Sequence, residues 1–385
     1  MPACREPAAA VRQERLEAGV LLIQGPMPSL AETMALVLSL PREAGTPAGA
    51  KAREAVTTHL TGLGYRVSVQ RFTFSPASLN AFPVFGAGLG GLALLLMPLL
   101  SATRAPVWGA LLLWVTGLAS LGLLAFGIGA GWITLGAVLR EDANLIATRS
   151  DAPIRRWIVA HLDTKAQGHS MAGRLVAVWV IGGAVAALSA LAVLRLQGAV
   201  SLPLVAVGAA LALLGGALAG GGRLHGTSQG ARDNGSGVLA ALAAAGATRD
   251  PETGVLITGA EEFGLVGARV FARLSPERLR GSTVVNLDTI DQEGELYLVT
   301  HDRRGDALAE AEAARLQAAG LAPRRHRLPL GILVDSVPLA RAGVPALTVG
   351  RLTWRTLRRI HTPRDTPDDL SLATAEQIGR VLGSN

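Results

Sequence analysis

Imidazole and carboxylate side chains recur where apolar, β-type runs end. Trp157–Ala160 runs into His161-Leu162-Asp163, Gly254–Thr258 into Glu261-Glu262, and Thr283–Leu287 into Asp288. The segment after Ala346–Val349 reaches His361-Thr362-Pro363, and Asp233-Asn234-Gly235 stands just before a helix that begins near Gly237. Nitrogen and carboxylate oxygen converging from several strand ends form the ligand set that zinc takes in catalytic sites. A carboxylate has two oxygens, so a single side chain can hold two cations at the roughly 3.5–4 Å separation of paired metal sites. The adjacent Glu261 and Glu262 point different ways, so one can ligate while the other stays free to take a proton and pass it to a leaving amine. Asp163 lies two residues after His161, on the same side of an extended chain, and is suited to accept the other imidazole N–H. Each residue alone has a blander reading. A Glu-Glu pair is usually solvated surface, Asp-Asn-Gly is usually a turn, and a lone histidine is usually structural, which is the reading given to His59, His169, His225, His301 and His326.

The elements that must position these residues alternate. A helix over Ala48–Leu63 precedes a strand over Tyr65–Phe74, and short β-type runs follow at Ala143–Thr148 and Trp157–Ala160. Then come a helix at Gly237–Gly246, a strand at Gly254–Thr258, a helix at Gly267–Leu274, a strand at Thr283–Leu287, a helix at Asp306–Ala319 and a strand at Ala346–Val349. Strands alternating with helices predict a mostly parallel sheet, whose ligands bind beyond the carboxyl ends of the strands. The intervals Asp233 to Glu262 and Glu262 to Asp288 are 29 and 26 residues, each one such step. His161 to Asp233 is 72, of which Gly173–Gly222 accounts for 50. That stretch therefore reads as an insertion.

Composition says what is inserted. Of the 385 residues, 50% are hydrophobic, 17% charged and 4% aromatic, against about 25% charged in an average soluble domain. Disorder, collagen and a disulfide scaffold are excluded, since hydrophobicity is high, no glycine period exists and Cys4 is the single cysteine. The surplus is concentrated in charge-free stretches at Phe82–Leu100, Ala105–Leu139, Leu175–Leu194 and Val200–Ala219. A helix crossing a bilayer needs about 20 apolar residues, so the stretches predict two transmembrane hairpins, with Trp108, Trp132 and Trp179 near span ends as an aromatic belt. Ala105–Leu139 is too long for one helix; its glycine-bearing tail after Phe126 either follows the interface or hides a short span. Because each hairpin returns the chain to the side it left, the remaining segments can build one domain. The expected divisions are 1–81, 140–172 and 223–385 for that domain, with hairpins at 82–139 and 173–222.

The motifs AHLD (Ala160–Asp163), GARDNGSG (Gly230–Gly237), AEEFGLVGARVF (Ala260–Phe271), NLD (Asn286–Asp288), AGVPAL (Ala342–Leu347) and HTPRDT (His361–Thr366), in this order, resemble the co-catalytic di-zinc aminopeptidases of peptidase family M28. These are of the aminopeptidase Y type and have endoplasmic-reticulum metallopeptidases and glutaminyl cyclases as relatives. The resemblance covers Pro41–Phe74 and nearly all of Asn144–Leu370 apart from the hairpin. It implies an α/β, three-layer zinc-exopeptidase fold with a mixed, mostly parallel sheet. It further implies two zinc ions: His161 and Asp288 on one, Glu262 and His361 on the other, Asp233 bridging both, and Glu261 as general base. Asp365 reads by itself as a turn residue, while family position suggests that it supports His361, and a substrate contact is suggested at Asp335-Ser336. The chain departs from many relatives in its tyrosines. Tyr65 and Tyr297 are the only two, and neither lies where those relatives supply an oxyanion donor.

The expected function is a membrane-bound zinc metallopeptidase, an aminopeptidase acting on peptides, with a glutaminyl cyclase-type acyltransferase or a catalytically silent membrane receptor or scaffold as the alternatives. Such silent descendants usually lose ligands, and none is lost here. The 36 Lys+Arg against 29 Asp+Glu point to an anionic membrane surface rather than nucleic acid, because no basic run is interleaved with aromatics. Arg71, Arg140, Arg149, Lys165, Arg174, Arg223 and Arg232 lie on the domain side of the spans and only Arg104 and Arg195 in the turns. This bias predicts a multi-pass protein with its catalytic domain on the cytoplasmic face. Arg5, Arg12 and Arg15 are followed only by the short apolar run Val20–Ile23, which does not read as an export signal.

Overall fold

The computed structural model describes residues 28–133, 138–329 and 331–384; the N-terminal basic residues, the Val20–Ile23 run and part of the tail of Ala105–Leu139 lie outside them. The chain divides into two compact units. One comprises residues up to Phe74, Leu139–Ala166 and Thr227–Asn385, and the other Ser75–Val138 and Gln167–Gly226.

The first unit is built on an eight-stranded sheet: β1 Arg66–Phe74, β2 Arg140–Thr148, β3 Arg156–His161, β4 Thr253–Thr258, β5 Thr283–Ile290, β6 Glu295–Thr300, β7 Pro323–Arg327 and β8 Ala346–Leu352. The spatial order is β1-β2-β4-β3-β5-β8-β6-β7. The four central strands are parallel, while β1 and β2 on one side and β6 on the other add antiparallel pairings. Parallel strands are covered on both faces and read as near-continuous apolar runs; β4, with the sequence TGVLIT, is buried at every position. Alternate residues then serve alternate faces. Ile158 and Ala160 pack with the helices Ser236–Ala247 and Ala373–Gly383 through Leu239, Ala241, Ile378 and Leu382, whereas Trp157 and Val159 pack with Phe271 and Leu339 on the opposite face. The expected three-layer, mostly parallel α/β fold is therefore what forms. Strands β6 and β7 were not among the expected elements.

The second unit contains four helices long and apolar enough to cross a membrane: Pro76–Ser101, Val107–Gly129, Met171–Gln197 and Leu202–Gly220. At 1.5 Å per residue the shortest spans about 29 Å, close to a hydrocarbon core of about 30 Å. Leu95, Leu112, Leu123 and Val207 are more than half exposed, and such large exposed apolar side chains have no reason to be there in water. Small residues bring the helices together. A Cβ at Gly86 would come within 2.5 Å of Ala219 Cβ, and one at Gly216 within 2.6 Å of the Gly86 carbonyl oxygen, so glycine is required at this crossing. Trp114 Nε1 donates to Ser189 Oγ at 2.9 Å. Arg195 is buried and donates to the carbonyls of Leu99, Ala102 and Ala105, tying the turns together. Among the described residues of the long stretch, one helix forms and ends at Gly129. Trp179 lies well inside its helix Met171–Leu194 rather than at its end.

Candidate metal centre

Because β3 lies between β4 and β5 and all three run parallel, their carboxyl ends open side by side. His161 is the last residue of β3, Glu261 and Glu262 lie just beyond β4, and Asp288 falls within β5. Asp233 comes from the turn before the helix Ser236–Ala247, and His361 from the loop beyond β8. All six side chains are buried. The Asp233 carboxylate stands between the two imidazoles, with Oδ1 3.2 Å from His161 Nε2 and Oδ2 3.0 Å from His361 Nε2. His161 Nε2 is 3.7 Å from Asp288 Oδ1, and His361 Nε2 is 3.4 Å from Glu262 Oε2. Two groups of donor atoms result, each within 4.8 Å of one another: His161, Glu261 and Asp288, and Asp233, Glu262 and His361.

The Asp233 turn is held from three directions. Both oxygens of the buried Asp365 accept backbone N–H groups, from Arg232 at 2.9 Å and Asp233 at 3.0 Å. Asn234 Nδ2 donates to the Leu287 carbonyl, and its Oδ1 accepts from the N–H groups of Gly237 and Thr289, so the turn is fastened to β5 on both sides of Asp288. A Cβ at Gly237 would lie 2.4 Å from the Leu287 carbonyl oxygen; only glycine lets the helix start this close to the strand. The Asp233–Asn234 peptide is cis. Arg42, fully buried, donates to the carbonyls of Leu162, Val37, Gln229 and Gly230 and thereby ties the His161 loop to the approach to Asp233. Non-glycine residues in the left-handed region concentrate here: Ala260 beside Glu261, Thr289 beside Asp288, and His361 itself. Such conformations are costly and gather at functional sites.

Burial opposes charge at the site, and the neighbouring charges either reinforce or outweigh it. It pushes Glu261 well above the usual carboxylate range, reinforced by the charges of Glu262, Asp335 and Asp288. Asp163 is pushed up to about 8, and Asp335 and Asp365 to about 6, with burial the largest cause in each. Burial disfavours the charged form of both imidazoles, but for His161 the carboxylates of Glu261, Asp233 and Asp288 outweigh it, and for His361 those of Glu262 and Asp233 do, so both sit above the ordinary histidine value. In turn the two imidazoles hold Asp233 far below its usual range despite its burial. So many buried carboxylates around two imidazoles form an environment that calls for cations. Imidazole Nε2 and carboxylate oxygen are donors that zinc accepts, so the residues present fit that metal.

Residues 218–384 match the model of one family. It is peptidase family M28. This is the family that the motifs suggested, and the matched segment contains Asp233, Glu261, Glu262, Asp288 and His361, while His161 precedes it. A likeness in fold to solved structures extends beyond the matched segment to most of the chain. The chain is similar to an aminopeptidase from Aneurinibacillus sp. strain AM-1, at 15% identity and a TM-score of 0.56, over 92% of this chain and 91% of that one. It is similar to BSAP, a zinc aminopeptidase from Bacillus subtilis, at 16% identity and a TM-score of 0.56, over 93% and 95% of the two chains. It is also similar to the glutaminyl cyclase of Fimbriiglobus ruber, at 17% identity and a TM-score of 0.53, over 97% and 98%. At these identities the likeness is one of fold. No curated protein sequence matches the chain.

Three expectations about supporting residues need correction. The carboxylate of Asp163 does not take the His161 N–H: His161 Nδ1 is 3.1 Å from the Asp163 backbone oxygen, and the carboxylate accepts instead from the N–H groups of Glu261 and Glu262 at 3.0 and 3.1 Å. Strand β3 ends at His161, so the alternation of an extended strand does not govern Asp163. Asp365 acts on the Asp233 turn rather than on His361. Lys165 and Arg232, counted among basic residues beside the spans, are buried and paired, Lys165 with Glu262 and Arg232 with Asp291. Neither is free to face a membrane. Tyr65 donates to the Ala245 carbonyl beneath the Arg149 guanidinium, and Tyr297 donates to Glu295, so both are committed elsewhere. Lys165, Arg42 and Asn234 are the site residues that sequence reasoning missed.

Proposed function

We propose that the chain is a membrane-bound zinc metallopeptidase of the aminopeptidase type, with His161 and Asp288 holding one ion, Glu262 and His361 a second, and Asp233 shared between them. The observation that carries the reading is the Asp233 carboxylate, which turns one oxygen toward each imidazole Nε2 at 3.2 and 3.0 Å. Two divalent cations there would polarise a substrate carbonyl and acidify a water molecule. Glu261 takes the proton of the attacking water on its carboxylate and delivers it to the departing amine, a role suited to a carboxyl whose proton affinity is raised by burial and by its acidic neighbours. Asp163 fixes the backbone of both glutamates through the two amides it accepts, and Asp365 and Asn234 fix that of Asp233.

Glutaminyl cyclases among the similar folds favour a second reading, intramolecular acyl transfer that releases ammonia from an N-terminal glutamine. Purified protein supplied with zinc should hydrolyse aminoacyl anilides and release no ammonia from glutaminyl peptides. Ammonia release without anilide cleavage would select the cyclase, and neither activity would leave the silent scaffold.

Peptides are the proposed substrates and a bilayer the proposed surroundings, the latter supported by the four apolar helices and their exposed leucines and valines. Placement of the catalytic unit on the cytoplasmic face rests on the remaining basic residues. A phosphatase reporter fused after Asn385 should be inactive and one inserted at Gln197 active. An active reporter at Asn385 would reverse the orientation.

A further inference from the structure

Lys165 is the one lysine buried in the catalytic unit among the described residues, and its ammonium is paired with Glu262 Oε2, both side chains being 3% exposed. That same oxygen faces His361 Nε2 at 3.4 Å. The partner is therefore no bystander carboxylate: it belongs to the donor group Asp233, Glu262 and His361. The other group, His161, Glu261 and Asp288, has no such cation paired to its carboxylates among the described residues.

We infer that Lys165 is a built-in counter-ion that competes for Glu262 and makes the Glu262–His361 position the weaker of two zinc positions, so that the ions enter in sequence. The inference rests on the di-zinc reading above. In the metal-free protein the ammonium neutralises a buried carboxylate whose other cationic neighbour is the His361 imidazole alone. A cation arriving at Glu262 must share that carboxylate with a fixed positive charge. Even at the dielectric of water, a unit charge and a divalent one held by a single carboxylate repel strongly enough to change binding on the order of tenfold, and by more where water is excluded. The position without a resident cation then fills first.

The test is zinc binding by the full-length protein in detergent, stripped with chelator and titrated in zinc buffers, with bound zinc counted by mass spectrometry. Wild type should load in two steps at least tenfold apart. His361→Ala should abolish the weaker step alone, Lys165→Met should tighten that step by tenfold or more, and Lys165→Arg, which keeps the charge, should leave two steps. Two ions bound with equal affinity by wild type would overturn the inference whatever the variants do. So would loss of the tighter step in His361→Ala, or a weaker second step in Lys165→Met, since the latter would make Lys165 an aid to the ligand rather than a competitor. Binding of no zinc by any form would instead remove the di-zinc reading itself, and the two failures are thereby distinguished.

Discussion

Glutamine at position 261 is expected to lower kcat on aminoacyl anilides by about 10²–10⁴-fold, the usual contribution of a positioned general base, while zinc content stays unchanged. The substitution keeps size and shape, so the backbone hold of Asp163 on residues 261 and 262 should survive. What is lost is a carboxylate that can accept a proton. The structure makes this an exacting test, because the Glu261 carboxylate lies close to His161 and Asp288 in one donor group. If Glu261→Gln loses zinc together with activity, Glu261 is a ligand; if it keeps full activity, the proton goes elsewhere. Activity and metal content measured on one sample separate the three outcomes.

The second large effect is at Asp233. Asp233→Asn should weaken both zinc positions at once, each by more than the roughly 100-fold that loss of a mere supporting partner costs. The carboxylate contributes one oxygen toward each histidine, and an amide replaces one of those oxygens with N–H donors and removes the negative charge. By contrast, Asp288→Asn should affect a single position, since of the two imidazoles Asp288 Oδ1 faces only that of His161. Zinc per polypeptide after dialysis against a weak chelator distinguishes them: less than one ion in Asp233→Asn, close to one in Asp288→Asn. An Asp233→Asn variant that keeps one tight ion would show that the two positions share no ligand.

The residues that these predictions concern were readable from the sequence because strand ends are. Buried parallel strands announce themselves as apolar runs, so the positions of His161 at the end of β3, Glu261 and Glu262 just beyond β4 and Asp288 near the end of β5 followed from pattern, and adjacency of those strands does the rest. Strand β7 was not readable. Its sequence PRRHR is charged and mostly exposed at the sheet edge, where charge discourages pairing with other chains and where it also imitates a loop. Lys165 and Arg42 illustrate a different limit. A lysine four residues past a histidine carries no sign that it will be buried, and only the packed structure reveals that it answers Glu262. The same holds for Arg42, whose partners Leu162, Gln229 and Gly230 are more than 100 residues away and are carbonyls, which no side-chain pattern can announce. Asp163 failed for a third reason: it lies beyond the end of β3, where strand alternation no longer sets direction, and its carboxylate accepts from two amides instead of the imidazole.

The most direct measurement is anomalous X-ray scattering at the zinc edge from crystals grown with zinc in excess. Two peaks on either side of the Asp233 carboxylate, about 3.5–4 Å apart, one beside His161 and one beside His361, are the predicted result. A single peak, or peaks that do not share Asp233, would contradict the account.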